Sequence, residues 1–193
     1  MTTAAEAMLD GVESRAASAR VSIDRVLMVV VSAVAFAVAL LTIAPWPVGV
    51  FQDDAIYVVL AKALATGEGF RMTNMPGSPH ATHFPPGYPM FLAALWKVYP
   101  SFPDNIVAFK FANALLLACA ALGTYHFSRS RVGLGPAGAT SAAVIGTVSV
   151  VVLLITGVVL SEPLFMALML PTLLVTERAA ERGDVRTALA AGA

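Results

Sequence analysis

The sequence is poor in charge. Asp, Glu, Lys and Arg make up 12% of the 193 residues, where a soluble domain usually carries about 25%. Acidic and basic residues balance at 12 each, so the net charge is zero and no electrostatic footprint points to nucleic acid. There is one cysteine, Cys119. That excludes an intramolecular disulfide and a cysteine-built zinc cage, and its place in an apolar run predicts a small buried apolar residue. Internal repeats are absent, as are low-complexity segments other than alanine-rich helix.

What fills the chain instead is apolar: 58% hydrophobic residues and a mean hydropathy of +0.79. The class this implies is an all-α integral membrane protein. Residues 1–24 are small, polar and mixed in charge, and read as a cytoplasmic tail with at most a short helix. Residues 26–50 contain no charge. They are long enough to span a bilayer, which takes about 20 residues, and too long for the apolar core of a cleaved signal peptide. Pro45 and Pro47 should end this first span, with Trp46 at the interface. Further spans are expected at 105–127, 137–156 and 163–176. A charged loop, TERAAERGDVR, follows the last of these, and TALAAGA at 187–193 reads as the start of a partial fifth.

Between the first two spans lies the one long polar interval, the loop 51–104. Within it Ile56, Val59, Leu60, Ala63 and Leu64 recur at helical spacing. The run is too short to span, so it predicts an amphipathic helix lying on the membrane surface, stopped at Gly67. Residues 69–86 are loop. YPMFLAALWKVY at 88–99 predicts a second surface helix, with Pro89 tolerated in its first turn. Tyr57, Tyr88, Trp96 and Tyr99 suit an interfacial aromatic belt.

Orientation follows from Lys and Arg in the short loops. Eight arginines, Arg15, Arg20, Arg25, Arg129, Arg131, Arg178, Arg182 and Arg186, stand on one side. Three cations, Lys62, Arg71 and Lys97, stand on the other, with Lys110 near the boundary and able to snorkel. The amino terminus is therefore expected in the cytoplasm. The loop 51–104 and the Ser161–Glu162 turn should then share the external face, where Glu162 could approach Asp53 and Asp54.

Each polar candidate has a structural reading beside a chemical one. Asp53 or Asp54 could cap the helix that follows. Capping accounts poorly for two adjacent like charges, and an unpaired carboxylate at an interface can have its pKa raised into the range of a base. Ser161, Glu162 and Pro163 fit an ordinary helix start, though acidic residues at membrane depth tend to mark function. His80 and His83 are three apart in a proline-containing loop and could ligate a metal, or be plain solvated histidines. Lys62, Arg71, Lys97 and Lys110 could hold a phosphate or contact lipid headgroups.

Taken in order, DDAIY at 53–57, FPPGYP at 84–89, Lys110 and SEP at 161–163 resemble the amino-terminal part of the GT-C membrane glycosyltransferases. The nearest groups are the protein O-mannosyltransferases and the lipid A aminoarabinose transferases. The likeness covers about residues 25–190, so residues 25–193 form one truncated GT-C-like transmembrane domain. It implies sugar transfer from a polyprenyl-phosphate donor to a hydroxyl of an acceptor protein, lipid or glycan, outside the cytoplasmic (inner) membrane. It implies Asp53 as general base, with Asp54 beside it in the catalytic turn. Tyr57, Arg71, Lys110 and Glu162 would bind substrate, Lys110 and Arg71 meeting the donor phosphate. His83 would serve a divalent metal. The sequence departs from the aminoarabinose transferases just before Pro-Pro, where His83 and Phe84 replace an acidic residue and a lysine. Family members are longer, so a chain of this length is expected to act as part of a larger enzyme. The alternative expectation is a non-catalytic membrane subunit or lipid-binding module.

Overall fold

Small side chains at four-residue spacing decide which faces of the helices meet. Ala35 and Ala39 on α1 (Thr2–Leu41) and Ala139 and Ala143 on α5 (Pro136–Thr147) are all fully buried. They pack against α4 (Asn105–Ser130), whose Ala114, Ala121 and Tyr125 are equally enclosed. Without water to drive apolar faces together, membrane helices associate where small residues let backbones approach. The computed structural model describes residues 2–182 and Arg186, and contains seven helices among them. The others are α2 (Gln52–Ala65), α3 (Gly87–Val98), α6 (Val150–Thr156) and α7 (Glu162–Arg182).

Three helices are long and apolar enough to cross a membrane: Val21–Leu41 within α1, α4, and α7. The broken pair α5 and α6 could supply a fourth crossing. Half of the most apolar stretch of α4 is buried, against 17% in α1 and 22% in α7. So α4 is the central post, and its neighbours turn large apolar side chains outward, among them Val26, Val29, Leu154, Phe165 and Leu168. Apolar surface on that scale belongs in lipid. The chain is an all-α membrane protein.

Several expected boundaries move, each for a local reason. Residues 2–24 do not form a separate tail but continue the first spanning helix. That helix stops at Leu41, well before the first proline. Thr42 Oγ1 bonds back to the carbonyls of Val38 and Ala39 at 3.1 Å, and the residue before Pro45 is barred from helical geometry. The third span is bent by 54° between Thr147 and Val150, where Ser149 is extended. The GTVS sequence supplies the Gly and Ser that commonly accompany a kink. The fourth span runs on to Arg182, through the residues expected as charged loop. Glu177 and Glu181, one turn apart, both pair with Arg131, at 3.1 and 3.2 Å, and hold this end of α7. The proposed fifth span at 187–193 lies outside the described residues, as do the side chains of Arg15 and Arg20.

The two helices of the long loop cap the bundle. α2 ends where Gly67 takes a positive φ of 84°, with Glu68 N–H bonded to Ala63 O and Gly67 N–H to Leu64 O. This is the glycine stop anticipated from the sequence. α2 is not a helix with one free polar face, however. Tyr57, Val58 and Ala61 are buried against α3, while Leu60 is buried against Met72 and Ala81 of the following loop. Tyr57, Tyr88 and Trp96 likewise leave the expected aromatic belt for the core of this cap, and only Tyr99 is exposed.

Candidate functional site at the capped end of the bundle

The site begins with the extended segment between α1 and α2. It carries two prolines, so its backbone groups cannot be satisfied by helix or sheet and must find other partners. Two of the residues picked out from the sequence provide them. Lys110, 2% exposed, donates its ammonium to the carbonyls of Ala44, at 2.9 Å, and Trp46. Asp54, 1% exposed, accepts from the backbone N–H of Gly49 at 2.9 Å and of Val50 at 3.1 Å. Its other oxygen takes the N–H of Ala55 at 2.7 Å. A buried cation on the carbonyls and a buried carboxylate on the amides thus clamp residues 44–50 from both ends.

This changes two assignments. Asp54 was expected as part of the catalytic pair; its carboxylate is enclosed and accepts three backbone N–H bonds, so it holds structure. Lys110 was expected at a donor phosphate; its ammonium faces the backbone of the clamped segment. Asp53 differs from its neighbour in every respect. It is exposed in the first turn of α2, and its carboxylate is presented to solvent by the clamp that its neighbour forms.

One helical turn beyond Asp53, Tyr57 reaches across the bundle, and its hydroxyl lies 3.3 Å from Ser161 Oγ. Tyr57 also packs edge-on to Tyr88, with ring centroids 5.2 Å apart. Tyr88 in turn donates to Asn113 Oδ1 at 3.0 Å. The Asn113 amide donates to the carbonyls of Val158 at 2.9 Å and Leu160 at 3.2 Å. Asn113 is fully buried; its oxygen takes Tyr88, and its nitrogen is directed at the segment that delivers Ser161 and Glu162. Burial pushes the Tyr88 phenol well above its ordinary pKa, and the nearby Glu162 carboxylate acts in the same direction. Tyr88 therefore remains a neutral donor. The long loop thus meets the Ser161 turn through Tyr57, while the expected approach of Glu162 to Asp53 and Asp54 is not among the contacts of the described residues. Glu162 itself is exposed in the first turn of α7.

Below this polar cluster lies a cavity of about 680 Å³. Tyr57, Pro85, Tyr88 and Ser161 form its upper end, and one face of α7 from Leu164 to Thr176 forms its wall. The fifteen steps from Ser161 to Thr176 correspond to about 22 Å of helix, a large part of the ~30 Å hydrocarbon core. The groove is mostly apolar along its length, with Tyr57 and Ser161 at one end and Thr172 and Thr176 toward the other.

The remaining candidates lie in the loop. Arg71 is half-buried and donates to Ser78 O at 3.2 Å, stapling a turn closed by a single bridge between Arg71 and His80. His80 and His83 are exposed and line a cavity of about 370 Å³ with Met72 and Met75. Among the described residues no three His, Cys, Asp or Glu side chains gather as metal ligands. Sequence reasoning passed over Asn113, although an amide inside an apolar span was a usable signal, because a polar group at that depth needs partners. It also passed over Asp24, which pairs with Arg129.

No protein-family model matches this chain. No curated protein and no solved structure matches it either.

Proposed function

We propose that this chain forms the donor-binding and proton-accepting part of a membrane glycosyltransferase of the GT-C kind, transferring a sugar from a polyprenyl-phosphate carrier to an acceptor hydroxyl. The observation that carries the reading is the apolar groove along α7, which ends at Tyr57 and Ser161 beside the turn that bears Asp53. A polyprenyl chain needs an apolar track at membrane depth, and its phosphate and sugar need a polar end at the surface. Asp53 is the base: it takes the proton of the acceptor hydroxyl as the oxygen attacks the anomeric carbon and the polyprenyl phosphate departs. Tyr57 and Glu162 orient the sugar. The phosphate contact falls to Arg71, whose guanidinium has N–H groups beyond the one given to Ser78. Four crossings, with the amino terminus in the cytoplasm of a cell whose inner membrane holds the protein, complete the reading.

A second reading, a lipid-binding subunit without catalysis, is favoured by the structural employment of Asp54 and Lys110. The two separate in one experiment. The chain, in proteoliposomes with any partner that co-purifies with it, is supplied with a polyprenyl-phosphate-linked sugar and a hydroxyl acceptor. Loss of a general base costs about 10²–10⁴ in rate, so Asp53→Asn should lower kcat by that factor with the melting temperature unchanged. Leu168→Trp, which fills the groove, should raise KM for the carrier. Carrier binding that Leu168→Trp weakens, with transfer absent or indifferent to Asp53→Asn, would establish the subunit reading instead.

A further inference from the structure

At the opposite end of the bundle a second cleft opens between α1 and α4. Its volume is about 330 Å³, at the lower end of the range for small-ligand sites. Its α1 wall is Val21, Asp24, Arg25 and Met28, and its α4 wall includes His126, Arg129 and Ser130. The spacing 21, 24, 25, 28 places one face of α1 toward the cleft. Inside it, one acid is already neutralised. Asp24 receives Arg129 Nε at 2.9 Å and Nη2 at 3.0 Å, and the Tyr125 hydroxyl at 2.8 Å. The third guanidinium nitrogen of Arg129 bonds to Leu134 O. Arg25 and His126 are thus the donors left facing the opening, and Arg25 is exposed.

The surroundings of these two side chains point to the kind of ligand. Arg25 lies four residues inside the start of the apolar stretch Val21–Leu41 and His126 four residues before the end of Asn105–Ser130, positions that suit the headgroup level if both helices span. One turn deeper on each helix is an exposed aliphatic residue: Val29, 67% exposed, four residues after Arg25, and Leu122, 45% exposed, four before His126. A donor pair above, with bare apolar surface directly below on both helices, matches a phosphodiester headgroup and its acyl chains. A soluble phosphate would use only the upper half.

We infer that the α1–α4 cleft is a binding site for one anionic phospholipid, with Arg25 and His126 holding its phosphate and Val29 and Leu122 its chains. The cleft shares no lining residue with the groove along α7, and the inference stands apart from the glycosyltransferase reading. The ion pair between Asp24 and Arg129 joins the two walls of the cleft, and lipid bound there would tie the two helices together.

The test is native mass spectrometry of the full chain released from micelles containing equal phosphatidylglycerol and phosphatidylcholine. One phosphatidylglycerol should be retained in preference. A cation near the headgroup contributes about 1 kcal/mol, so Arg25→Gln should weaken retention about fivefold and Arg25→Gln/His126→Gln further. Arg25→Lys keeps the charge and should retain most of the binding. Arg131→Gln, at the same end but engaged by Glu177 and Glu181, should leave it unchanged. Equal loss in Arg131→Gln, undiminished retention in the double variant, or displacement of the lipid by millimolar inorganic phosphate would each overturn the assignment.

Discussion

Asn113 carries more of this fold than any of the acidic residues near it. It is an amide in mid-helix among alanines, leucines and phenylalanines, and it accepts from Tyr88 while donating to two carbonyls of the segment before Ser161. Replacing it by leucine conserves approximate volume and strands a phenol and two carbonyls in a buried site. A stranded buried group costs about 1–3 kcal/mol, so Asn113→Leu should lower the melting temperature clearly in detergent. Adding Tyr88→Phe should recover part of the loss, since one stranded donor is then gone. If the double variant is no more stable than the single one, the amide does not act through Tyr88. Asp54 shows the same principle with a charge: two adjacent aspartates with the same local sequence are divided by burial into a structural acceptor and a free carboxylate.

Helix ends and helix breaks decide how the elements meet. The turn after α6 passes so close to the end of α1 that a Cβ on Gly157 would overlap the Thr42 carbonyl oxygen. Gly157 is also bonded through its carbonyl to Ala44 N–H at 3.0 Å, so the contact is backbone on backbone and has no flexible side chain to yield. Gly157→Ala should therefore cost about 1–3 kcal/mol, as overpacking does, and loosen the Ser161 end of the groove. Hydrogen exchange at Ala44 and at residues 158–161 would register it, and unchanged exchange there would show that the turn can move aside. Gly146→Ala, with open space around its Cβ position, is the matched control. Gly123 of the central helix differs: a Cβ there would meet Leu170 and Pro171 of α7 at 3.9 Å, an ordinary contact.

At the scale of the whole molecule, the capped end with α2, α3 and the groove mouth opposes an end that gathers Arg25, Arg129, Arg131, Arg178 and Arg182. The bias of Lys and Arg toward cytoplasmic loops predicts a bundle with the cap outside. A membrane-impermeant maleimide checks it. In a Cys119→Ser background, Thr82→Cys should label in intact cells or spheroplasts, and Val132→Cys only after the membrane is permeabilised. The reverse pattern would invert the protein and put the groove mouth in the cytoplasm, where an external acceptor could not reach Asp53.

Composition and apolar run length were enough to determine a helical membrane protein, the central spans, the loop between them and the glycine stop after α2. These are local properties: a residue's hydropathy and backbone preference act on its own segment. The meeting of the Ser161 turn with the long loop was also legible, because the number of crossings between them is fixed once the spans are assigned. Only the tertiary structure decided which polar side chains are free. Asp53 and Asp54 are the same residue type one position apart, and Lys110 reads as a snorkelling cation until the carbonyls of Ala44 and Trp46, more than sixty positions earlier, close around it. Whether a charge is available for chemistry depends on partners brought from distant parts of the chain, and burial among those partners is a property of the packed bundle alone.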